Sequence, residues 1–138
     1  MKAYTTKSKV LSGTDFKEVH KKARIIYKDI KKKTKRKPYV RSAYFKKEKI
    51  FLDLFWSHLY DKKSQWDRTR RTKYFECGLE LIQNSRVKPT SKENPNKKSE
   101  TLHRFLGMTP DKKLFAVQIK ENVQNKNKWL ISIFPKKY

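Results

Sequence analysis

The apolar positions of this chain change period along its length. Phe16, Val19, Ala23, Ile26 and Ile30 recur at spacings of three and four, the stripe of an amphipathic helix. Asp15 precedes the stripe and Glu18 lies three residues on, an N-cap with a capping-box partner. This helix is expected to stop before Pro38. Residues 38–46 read as a connector. A broad apolar face follows over 48–60, built from Ile50, Phe51, Leu54, Phe55, Trp56 and Leu59. It predicts a second helix, the most buried one. After a polar break at 61–67, Tyr74, Phe75, Leu79 and Ile82 predict a third helix from Asp67 to about Asn84. Its first turns would carry "RTRR", 68–71. Cations at a helix N-terminus cost about 0.3–1 kcal/mol each and are better tolerated where an anion binds.

Beyond residue 100 the period shortens to two. Residues 86–99, "RVKPTSKENPNKKS", read as a loop with room for a short edge strand. Strands are expected over 101–108, 113–120 and 128–135, with a turn at 109–112 that places Pro110 at its second position. In the last hairpin, setting Ile119 opposite Trp129 also pairs Val117 with Ile131 and Phe115 with Ile133, a complete apolar face. Gln118, Lys120 and Ser132 then share the other face, turned away from the helices. The fold class expected is α+β, N-terminal helices packed on one face of a small antiparallel β-meander. Residues 1–46 form a basic helical arm and 47–138 the α+β domain, together one folded unit.

Charge sharpens the picture. The 138 residues include 37 Lys and Arg against 13 Asp and Glu, a net charge of +24. The first 50 residues hold 18 of these cations against four acids, so both parts of the chain are basic. Such a field calls for a polyanion, an acidic protein or salt to balance it. The single cysteine, Cys77, excludes an internal disulfide and suits a reducing compartment. No apolar run approaches a membrane span and no leader is evident. The expectation is a cytoplasmic protein without a membrane role.

Three glycines, Gly13, Gly78 and Gly107, leave no Gly-rich phosphate loop. His20, His58 and His103 have no metal-ligand spacing, and no metal or cofactor is expected. Asp111 with Gln118 and Lys120 mimics a PD-(D/E)xK nuclease signature, but Gln stands where a cation needs a carboxylate. RNA cleavage without a metal asks for less. The 2′-OH is the nucleophile, and the protein supplies a base, a donor to the leaving oxygen and cations for the phosphorus charge. Arg, with its bidentate fork, is informative among so many Lys. Candidates are His58, Arg68, Arg70, Arg71, His103, Arg104, Lys120 and Ser132, each of which also has a plain structural reading.

"WSHL" before "RTRR", then "LELIQNSRVKP", then "LHRFLG", "LFAVQIKE" and "WLISIFP" resemble, from Trp56 to Pro135, the barnase–EndoU–colicin–RelE superfamily of metal-independent RNases and toxins, in its phage-associated branch. The resemblance implies helices paired with an antiparallel sheet whose open face binds RNA. It implies His58, Arg68, Arg71, His103, Lys120 and Ser132 as the catalytic set. Arg70, Lys73, Arg86, Lys88, Arg104 and Gln118 are the expected RNA contacts around it. Arg68 or Arg71 would hold the phosphate and His58 or His103 would act as base or acid. The partners implied are RNA, including tRNA or ribosome-bound RNA, and an acidic antitoxin or immunity protein. The rivals are a non-catalytic RNA- or ribosome-binding protein, supported by the same charge and by aromatics able to stack on bases, and a DNA-binding accessory factor using the first helix.

Overall fold

In a computed structural model, which describes residues 2–136, the chain folds into four helices and a curled seven-stranded mixed sheet. The strands are β1 (Tyr4–Thr5), β2 (Tyr39–Arg41), β3 (Lys49–Phe51), β4 (Thr90–Glu93), β5 (Glu100–Met108), β6 (Leu114–Asn122) and β7 (Lys128–Pro135). The helices are α1 (Phe16–Thr34), α2 (Asp53–Tyr60), α3 (Gln65–Thr72) and α4 (Phe75–Asn84). The sheet order is β1-β5-β6-β7-β3-β2, with β4 also on the outer edge of β5.

The antiparallel meander is present as β5, β6 and β7, but it is only the middle of the sheet. β1 adds parallel to β5, and β3 adds parallel to β7 with β2 antiparallel beyond it. The expected connector 38–46 therefore contains a strand. The expected helix 48–60 is split: Ile50 and Phe51 belong to β3, and α2 begins only at Asp53. Ile50 and Leu52 are both fully buried, so the apolar run serves a sheet and then a helix, which one helical period cannot describe.

The third helix is also two. Ser64 caps α3, its Oγ accepting from Asp67 N at 3.2 Å. The helix ends at Thr72, and α4 starts afresh at Phe75. Arg70 and Arg71 thus lie in a last turn, where the helix dipole favours cations. The expected conflict with a helix N-terminus does not arise for these two, while Arg68 stays near the start of α3.

α1 starts as its sequence requires. Asp15 accepts from Glu18 N at 2.9 Å, and Glu18 Oε1 accepts in return from Thr14 N at 3.2 Å. Val19, Ala23 and Tyr27 are buried along its inner stripe, and the helix lies against α3 and α4. Lys35, at φ 59°, turns the chain away toward β2.

The core lies between the helices and the inner sheet face. Phe55, Phe75, Phe115, Ile119, Leu130 and Ile133 are fully buried in it, each contributing about 1.5–3 kcal/mol. A Cβ at Gly78 would collide with Ile133, and one at Gly107 with Phe115, so both glycines are set by close approach. The N-terminal segment is clamped to α4 by Glu80, whose carboxylate accepts from Tyr4 Oη, Lys7 N and Ser8 N at 2.8 Å each and from Ser8 Oγ at 2.6 Å.

The β6–β7 register differs from the symmetric one. Val117 pairs with Ile133 and Gln118 with Ser132; then Ile119 pairs with Leu130 and Lys120 with Trp129. A bulge leaves Ile131 as the extra residue. Trp129, expected on the core face, therefore stands on the other face beside Lys120. Ser132 stands beside Gln118.

Candidate nucleic-acid groove

Alternation along β6 turns Phe115, Val117 and Ile119 inward and Gln118 and Lys120 outward. Register places Arg104 beside Gln118, Leu102 beside Lys120, and Ser132 on the other side of Gln118. Because α2 and α3 pack on β7, their ends border this outer face. The result is a groove of about 420 Å³ whose walls include His58, Lys62 and Arg71 from the helical side and Gln118, Lys120 and Ser132 from the sheet.

Arg71 is the hinge of the site. Its Nε donates to Asp67 Oδ2 at 3.0 Å and its Nη1 to Ser132 Oγ at 2.9 Å. Its guanidinium also lies 5.4 Å from the Phe134 ring centre, with Arg104 at 5.3 Å from the same ring. Arg104 in turn donates to Gln118 Oε1 at 3.1 Å. Across the groove, Lys120 pairs with the buried carboxylate of Glu100 at 3.3 Å. Glu100 is held ionised: burial works against its charge, but hydrogen bonds from Lys120 and Asn94 overcome it and lower its pKa.

His58 is the imidazole of the groove. Desolvation by its surroundings lowers the pKa of its imidazole, and the nearby charge of Lys120 lowers it further. The ring is therefore neutral near pH 7 and able to accept a proton. Lys62, one turn beyond His58, makes no ion pair among the described residues.

Not all expected residues meet here. Arg68 is turned away: its Nε donates to Lys62 O at 2.6 Å and its Nη2 to Tyr60 O at 3.0 Å, covering carbonyls that the end of α2 leaves without helical partners. It positions the α2–α3 link and does not line the groove. His103 sits on the opposite sheet face. Its Nδ1 lies 2.6 Å from Ser91 Oγ and its Nε2 2.7 Å from Glu121 Oε1, and its ring packs on Phe45. Glu121 also meets the buried Lys128 at 3.5 Å. This polar network lies behind the sheet, so His103 cannot act in the same groove as His58.

Of the expected contacts, Arg70 stacks over Trp66 at 4.6 Å and pairs with Asp67, on the outer side of α3. Lys73 caps α3. Arg86 is exposed after α4. Lys88 lies with Arg104 at a separate shallow pocket. Lys62 and Phe134 were not foreseen. Strand periodicity alone pointed to Phe134, which stands two residues from Ser132 on β7.

Asp111 lies in the turn before β6, where it accepts from Thr109 Oγ1 at 2.6 Å. Lys120 stands six residues along the strand from Leu114, about 20 Å away. The PD-(D/E)xK likeness thus has no counterpart in space. Among the described residues no three His, Cys, Asp or Glu side chains converge as metal ligands, and no helix is long and apolar enough to cross a membrane. No protein-family model, curated protein or solved structure matches the chain.

Proposed function

We propose that this protein is a small endoribonuclease that cleaves RNA through its own 2′-OH. The observation that carries the reading is the convergence of the His58 imidazole with the cations Arg71 and Lys120 and the hydroxyl of Ser132 around one groove. That set supplies a base and a field for developing negative charge in one place.

In this reading a phosphodiester lies between Arg71 and Lys120. His58 removes the 2′-OH proton as the 2′-oxygen bonds to phosphorus. Arg71 and Lys120 stabilise the extra charge on the phosphoryl oxygens, and Ser132, held by Arg71, orients one of them. The bond to the 5′-oxygen breaks, and Lys62, which no ion pair engages among the described residues, donates the proton to that leaving oxygen. The products are a 2′,3′-cyclic phosphate and a 5′-OH.

The experiment is incubation of purified protein with end-labelled single-stranded RNA in excess EDTA. Fragments ending in 2′,3′-cyclic phosphate, lost in His58→Ala, are expected. RNA that is bound but never cut would instead make the protein a non-catalytic RNA- or ribosome-binding module using the same groove. A toxin role, with an acidic antitoxin neutralising the basic surface, belongs to the same reading; induced expression in a bacterial host is expected to arrest growth, and His58→Ala is expected to relieve the arrest.

A further inference from the structure

The outer face of the sheet carries a second feature that cleavage does not use. Tyr39 is the register partner of Phe51, Phe51 of Trp129, and Trp129 of Lys120. Four adjacent strands, β2, β3, β7 and β6, thus place one row of side chains across the face. The row covers three inter-strand steps, about 14 Å. The rings are neighbours: centres lie 6.4 Å apart for Tyr39 and Phe51 and 6.2 Å for Phe51 and Trp129. All three are half-buried.

Cations border the row along its length. Lys49 Nζ lies 4.7 Å from the Tyr39 ring centre and Lys37 Nζ 6.0 Å from that of Phe51. Lys120 Nζ lies 5.3 Å from the Trp129 ring centre. At its far end the row opens on a cleft of about 570 Å³ lined by Lys35, Arg36, Lys37 and Lys49. At its near end stands Lys120, a wall of the groove that holds His58 and Arg71.

We infer that Tyr39, Phe51 and Trp129 form a stacking platform for single-stranded RNA that feeds the strand toward Lys120. An aromatic row with interleaved cations fits single strands: bases stack on rings while phosphates meet the ammonium groups. A duplex hides its base faces, so it can use only the cations. The ring contacts of the exposed Lys37 and Lys49 are weak and exchange readily for base stacking. The inference rests on RNA as the ligand but not on cleavage.

The test is fluorescence anisotropy with a labelled single-stranded 2′-O-methyl oligoadenylate, which has no 2′-OH and cannot be cleaved by this route. A 2′-O-methyl duplex of equal length is the control. Wild type is expected to prefer the single strand. Tyr39→Leu, Phe51→Leu and Trp129→Leu each lower single-strand affinity roughly fivefold or more, leave duplex affinity within about twofold, and Trp129→Phe retains most of the binding. If a Leu variant on β3 or β7 fails to fold, Tyr39→Leu, on the three-residue edge strand β2, decides alone. Unchanged single-strand binding in the Leu variants, or equal loss for both probes, overturns the platform. Cleavage of RNA with no effect of the Leu variants removes the platform alone; selective binding through the row with no cleavage removes the nuclease reading alone.

Discussion

Arg71 donates to Ser132 across 2.9 Å, joining the last turn of α3 to the strand just past the bulge in β7. Asp67 holds the same guanidinium from the other side at 3.0 Å. The arginine is thereby fixed by two acceptors, with the rest of its fork facing the groove. A preorganised cation of this kind loses little on meeting a phosphate.

Arg71→Ala is therefore expected to lower kcat/KM for RNA about 100-fold or more. Arg71→Lys keeps the charge but not the fork that reaches Asp67 and Ser132 together, and is expected to recover little. Ser132→Ala removes one hydrogen bond, worth about 0.5–1.5 kcal/mol, and is expected to cost up to about tenfold. Circular dichroism should show all three folded. Equal activity of Arg71→Lys and wild type would show that charge alone matters here.

The pH dependence follows from His58. Its lowered pKa, set by desolvation and then by Lys120, places the ascending limb of kcat/KM below the ordinary histidine value near 6.5. Protonation at low pH removes the base, so activity falls as pH drops through that limb and is full near neutrality. Lys120→Gln removes a repelling charge. It is expected to slow cleavage and also to move the ascending limb to higher pH. A slower enzyme with an unmoved limb would separate Lys120 from His58.

His103 and Arg68 test the face assignment. His103 joins Ser91 to Glu121 behind the sheet, and Arg68 covers the carbonyls of Tyr60 and Lys62. His103→Ala and Arg68→Ala are each expected to cost about 1–3 kcal/mol of stability while leaving kcat within about threefold at temperatures where both fold. Chemical denaturation and single-turnover cleavage read the two effects separately. A loss of kcat like that of His58→Ala would place either residue in the reaction.

Much of this was written in local patterns. The capped stripe from Asp15 to Ile30 became α1 because spacing and cap agree. The three long strands became β5 to β7 because runs rich in β-branched and aromatic residues continue for eight or nine residues between turn signals. β2 and β3 are three residues each, too short for a period to emerge, and Ile50 and Phe51 merged with the apolar face of α2. No Gly or Pro marks the break at Lys73 and Tyr74, so α3 and α4 read as one helix. Lys120, Ser132 and Gln118 could be grouped because they share one face of a hairpin. The bulge could not be placed, although the unbroken run Trp129, Leu130, Ile131 already violates period two. Parity also spoke against His103: it alternates with Phe105, which is buried, while Arg104 does not. Lys62 gave no signal, since its place depends on how the α2–α3 link folds back.

Glu80 sets a pH dependence of stability rather than of activity. Burial opposes its ionisation, but hydrogen bonds from Ser8, Lys7 and Tyr4 outweigh it, so its pKa lies below the usual carboxylate value. The unfolded chain therefore binds this proton more readily than the folded one. The stabilisation is present in full above the unfolded pKa and is lost as pH falls through the lower folded pKa. Its partner Tyr4 is pushed the other way, to about 12, first by burial and then by the hydrogen bond to Glu80 and its charge, so the pair stays intact through neutral pH. Glu80→Gln keeps the shape of the side chain but not the charge-assisted bonds. At pH 7 it is expected to lower stability by about 1–3 kcal/mol. Across the acid range its denaturation midpoint should depend less on pH than that of wild type, so that the two curves approach each other at low pH. Parallel curves over that range would show that the clamp works through packing of residues 4–8 on α4 and not through the carboxylate.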